Sequence, residues 1–95
     1  MFKTALFLYF FSASPVGAAI SALESASDVA RDHDRCEQVI GHDLAAVLGE
    51  LRDARKTGPT AKLSRAVQSL ARDVGHACPS AVAQKIAEAV EALEG

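Results

Sequence analysis

Tryptophan is absent, and aromatic residues make up only 5% of the 95-residue chain. A core without large rings has to be assembled from Ala, Leu, Val and Ile, and a hydrophobic fraction of 49% supplies them. Excess positive charge is also lacking, since the formal net charge is −2. General nucleic-acid binding needs a basic footprint, so that class is excluded. No strand-like alternation appears, and no HExxH, CxxC or CxxCH spacing is present. There is no Gly-rich phosphate loop and no serine in a nucleophile elbow. A chain this short also leaves little volume for a pocket of enzyme size. These absences together indicate a non-catalytic protein with no cofactor.

The N-terminus is distinctive. Lys3 supplies one positive charge, and Ala5-Leu6-Phe7-Leu8-Tyr9-Phe10-Phe11 forms a short apolar run carrying four of the five aromatics. Small residues and a helix breaker follow at Ser12-Ala13-Ser14-Pro15-Val16-Gly17-Ala18-Ala19. Charged start, short apolar run and small-residue zone are the parts of a secretory signal peptide. Gly17 and Ala19 fit the small positions before a cut, which divides the chain into a signal peptide at 1–19 and a single domain at 20–95. A membrane anchor needs about 20 predominantly apolar residues, and Ser12, Ser14 and Pro15 interrupt the uncharged stretch. The expectation is export to the periplasm or the exterior, with no stable membrane span after cleavage. Loss of Lys3 then takes the charge from −2 to −3.

In an oxidising compartment a lone cysteine pair is read as a disulfide. Cys36 and Cys78 bracket a mirrored apolar pattern centred on Thr57-Gly58-Pro59-Thr60. Ile40 mirrors Val74, Leu44 mirrors Leu70, Val47 mirrors Val67 and Leu51 mirrors Leu63, every pair of numbers summing to 114. Two antiparallel helices joined at that turn would lay the pairs along one seam, with sulfur opposite sulfur at its open end. The symmetry favours a bond within the chain over the alternative, a bond between two chains. Closing such a loop contributes on the order of 4 kcal/mol in the chain-entropy model, which matters for a small Ala-rich core.

Helical spacing predicts the elements. Ser21-Ala22-Leu23-Glu24 has the form of a capping box, and Ser25-Ala26-Ser27-Asp28 offers a second start. From there Val29, Cys36, Ile40, Leu44, Val47 and Leu51 keep one phase toward Lys56, through Gly41, where a break would add a helix. Leu63, Val67, Leu70 and Val74 form the next helix, and Val82, Ile86, Val90 and Leu93 the last, after Cys78-Pro79-Ser80. The expected fold is all-α: a small bundle of three helices, or four if Gly41 breaks the first, built on an antiparallel hairpin stapled by one disulfide. The last helix either returns along the hairpin or packs on residues 22–35. Apolar stripes left over from so small a core would suit a homodimer interface.

Two surface groups are candidates for function. His33 and Glu37, one turn apart, could gather with His42, Asp73 and His76 beside the cysteines, and His33, Glu37 and His76 are the candidate metal ligands. The ordinary alternative is a solvated polar face. The second group is Arg52, Arg55, Lys56, Lys62 and Arg65 around the central turn. The first three suit a helix C-terminus, but Lys62 and Arg65 would stand at the positive end of the next helix. A basic tip built against that preference points to a protein or surface of anionic character, with screening by Glu50 and Asp53 as the ordinary alternative.

Cys36-Glu37-Gln38-Val39-Ile40, the Ala-rich helix after it, Ala77-Cys78 and Lys85-Ile86 resemble the layout of the small periplasmic acid-stress chaperones. That family is all-α, exported and stapled by one disulfide. The resemblance implies a pH-responsive holdase that loosens in acid and exposes apolar surface to unfolding clients.

Overall fold

The computed structural model describes residues 15–55, 61–75 and 77–94. Among them are four helices and no strand: α1 (Pro15–Arg31), α2 (Asp34–Ala54), α3 (Ala61–Val74) and α4 (Ser80–Glu94). α1 packs on α2 and α4, and α3 packs on the same two helices, while the pairs α1/α3 and α2/α4 do not meet. The helices therefore form a ring around one core, each antiparallel to the neighbour it is joined to by a short link. The last helix both returns along the hairpin and packs on α1, so the two expected orientations are realised together.

The fourth helix does not arise at Gly41. α2 runs unbroken through Gly41 and Gly49, as its seam requires. The break lies at Asp32–His33 instead, inside the single helix expected from Ser21, or from the Ser25–Asp28 stretch, to Lys56. Val29 and Cys36 are seven residues apart, close to two helical turns, so the apolar phase passes over the break without a mark. Residues 31–35 are all exposed and carry no apolar side chain that would hold them against a core. The amides of Asp32 and His33 close the end of α1 on the carbonyls of Val29 and Ala30 at 3.1 and 3.0 Å. His33 is extended (φ −129°, ψ 100°), and its carbonyl accepts the Glu37 amide at 2.9 Å, which starts α2. Asp34 and Glu37 in that first turn complement the helix dipole.

α1 opens on Pro15, well suited to a first helical position because its missing N–H has no partner there to lose. The boundary expected before Ile20 thus falls inside α1. The Thr57-Gly58-Pro59-Thr60 turn lies outside the described residues. α3 ends at Gly75, whose φ of 46° is the left-handed conformation that favours glycine. The Ala77 amide then returns to the Val74 carbonyl at 3.2 Å, and the Pro79 carbonyl receives the Val82 amide at 3.0 Å as α4 begins.

Every mirrored residue of the hairpin seam from Ile40 to Val74 is buried. So are Val16, Ile20 and Leu23 of α1 and Val82 and Ile86 of α4, while no polar or charged residue is buried among the described residues. The core is wholly aliphatic apart from the disulfide, which joins Cys36 to Cys78 within the chain with Cα atoms 4.6 Å apart. Ala19, Ala22, Ala26 and Ala30 give α1 a face of small side chains, which lets neighbouring helices approach closely. That helix also covers apolar surface that three helices would have left bare. Val39, at 46% exposure, is the only large apolar side chain left exposed among the described residues.

Candidate functional site

The two groups singled out by the sequence lie at opposite ends of the α2–α3 hairpin. At the turn end, Arg52 and Arg55 leave the last turns of α2 while Lys62 and Arg65 stand in the first turns of α3, all four exposed. Lys56 lies outside the described residues. Arg52 is engaged: its Nη2 donates to Glu24 Oε2 on α1 at 2.9 Å. Arg55, Lys62 and Arg65 make no ion pair among the described residues, and neither Glu50 nor Asp53 contacts them as a counterion. α3 has no acidic residue in its first turn, so Lys62 meets the positive end of the helix dipole uncompensated there. Lys62 and Arg65 thus add cationic side chains to a helix start that itself favours an anion.

At the disulfide end, His33 is the N-cap of α2 but makes no side-chain capping bond. Glu37 lays its carboxylate over Gly41, where a Cβ would stand 2.5 Å from Oε1. The carboxylate therefore points along α2 away from His33 rather than back toward it. His42 is exposed, and His76 lies outside the described residues. Among the described residues no group of three or more His, Cys, Asp or Glu is placed to share a metal ion. Cys36 is fully buried and both sulfurs are consumed in the disulfide, leaving no free thiol.

Two surface grooves lie along α2 among the described residues, and neither was legible in the sequence. One, of about 260 Å³, runs between α2 and α3 with Ala46 and Ala66 along it and Asp43, Glu50 and Asp73 as its carboxylates. The mirrored seam pairs Asp43 with Ala71 and Asp73 with Gly41, so it does not by itself bring these carboxylates to one groove. The other, of about 290 Å³, lies between α1 and α2. Its charges are paired internally, Arg31 with Asp28 at 2.6 Å and Arg52 with Glu24 at 2.9 Å. No helix among the described residues is long and apolar enough to cross a membrane.

No protein-family model matches this chain, and no match was found among curated proteins or solved structures.

Proposed function

We propose that this is a small exported helical protein that acts without catalysis, as a binding module for an anionic partner at the α2–α3 turn end. The observation that carries the reading is the set of exposed cations Arg55, Lys62 and Arg65, without ion-pair partners among the described residues. Two of them are held at the positive end of α3, where burial and helix stability gain nothing from them. The internal disulfide is the chemistry of an oxidising compartment, periplasmic or extracellular, and supports export.

The test uses a sulfated polysaccharide column as the anionic probe. A chain of net charge −2 should not be retained by its overall charge, so retention at low salt reports the basic end. Retention that disappears in the Lys62→Glu, Arg65→Glu double variant supports the reading. Equal behaviour of the two proteins rejects it.

The holdase reading is supported by one feature. Two interhelical polar contacts run through carboxylates, Arg52 to Glu24 and Gln68 to Glu94 at 2.9 and 2.8 Å. A holdase should bind an apolar dye near pH 3 and suppress aggregation of an unrelated client, and failure in both assays rejects that activity.

A further inference from the structure

We propose that residues 15–19 belong to the folded domain and stay in the mature chain, so that any signal-peptide cut falls upstream of Pro15. This rests on the export reading. The Ala19–Ile20 bond, which small-residue spacing favours as the cut, lies within α1, five residues into its 17. On its N-terminal side Val16 is 2% exposed and Ala19 0%, and on its C-terminal side Ile20 is 3% and Leu23 0%. These residues share one face at helical spacing with Ala26 and Ala30, while Ala18, Ser21 and Glu24 are exposed. The amphipathic phase therefore crosses the bond unchanged. A cut there would remove two core side chains, discard the proline that starts the helix, and leave α1 with 12 residues, 20–31.

A helix of that length holds poorly unless its apolar face is packed. α1 is also the helix that closes the ring, because it is the bridge between α2 and α4. The burial is thus in the element whose loss would open the bundle along two interfaces. Upstream, Ser12, Ala13 and Ser14 offer small residues for a cut that spares α1.

Two measurements decide it. The first is the intact mass of the protein recovered after export. A start at or shortly before Pro15 is expected, and a folded, disulfide-bonded protein starting at Ile20 overturns the proposal. The second compares Val16→Asp and Ala19→Asp with Ala18→Asp in the oxidised full chain. The two buried positions should lower the melting temperature by roughly 8 °C or more, and the exposed one by far less. Equal shifts at all three positions overturn the proposal. A chain recovered with Met1 in place rejects export alone, and the substitution series then decides whether residues 15–19 belong to the folded domain.

Discussion

Arg52 on α2 donates to Glu24 on α1 across 2.9 Å, 28 residues apart in sequence, and ties one cation of the basic end to a neighbouring helix. The contact marks which part of α1 lies beside the end of α2. It also separates Arg52, which has an internal counterion, from Arg55, Lys62 and Arg65, which have none among the described residues. Both partners are about half exposed, at 55% and 51%, so water screens the pair. Replacing Glu24 with Gln should therefore cost less than about 1 kcal/mol in urea denaturation. A loss of several kcal/mol would mean that this pair, rather than the aliphatic core, registers α1 on α2.

The disulfide should matter more. Cys36 and Cys78 close a loop with a sequence separation of 42, and they hold together the end of the bundle where α1 turns into α2 and α3 into α4. The double variant C36A/C78A should lose on the order of 4 kcal/mol of stability. The same loss should appear when the natural protein is unfolded in the presence of a thiol reductant. A double variant as stable as the parent would place the whole stability in the core.

Most of the hairpin was legible because a helical hairpin imposes an arithmetic on the sequence. Once a turn is located, every residue on one helix names its neighbour on the other, and the mirrored apolar residues from Ile40 to Leu51 and from Leu63 to Val74 are all buried. The Asp32–His33 break was not legible, since Val29 and Cys36 stay in phase across it. α1 was hidden for a different reason. Val16, Gly17, Ala18 and Ala19 are small residues that suit a cleavage zone and a tightly packed helix equally well. The α2–α3 groove depends on how far the helices splay, which spacing along one chain does not encode.

Gly41, Gly49 and Gly75 should respond differently to alanine. Gly49 lies exposed in mid-helix with open space where a Cβ would go, so Gly49→Ala should stabilise by about 1 kcal/mol. At Gly41 the same gain is reduced because the Glu37 carboxylate, the far end of a flexible side chain, must swing aside. Gly75 has φ 46°, and Gly75→Ala should cost about 1 kcal/mol by forcing a side chain into the left-handed region. Thermal melts of the three variants should therefore rank Gly49→Ala highest and Gly75→Ala lowest.

Truncation in the seam tests the aliphatic core directly. Leu44 and Leu70 are mirrored across the hairpin and almost completely buried. Either Leu→Ala change should cost about 2–5 kcal/mol, and the double change should depart from the sum because the two cavities share lining. The check is urea unfolding of the two single variants and the double. Strict additivity would show that the two side chains do not meet.

Charge reversal at the basic end separates a binding role from a structural one. Lys62 stands in the first turn of α3, where the helix dipole disfavours a cation and no acidic residue offsets it. Lys62→Glu should therefore raise stability, by about 0.3–1 kcal/mol at low salt, because a carboxylate suits that position. The same substitution should weaken retention on an anionic matrix. A surface residue kept only for folding would move both readouts in the same direction. If Lys62→Glu lowers stability instead, the cation has a favourable partner at the turn, and the basic end is part of the scaffold rather than a docking surface.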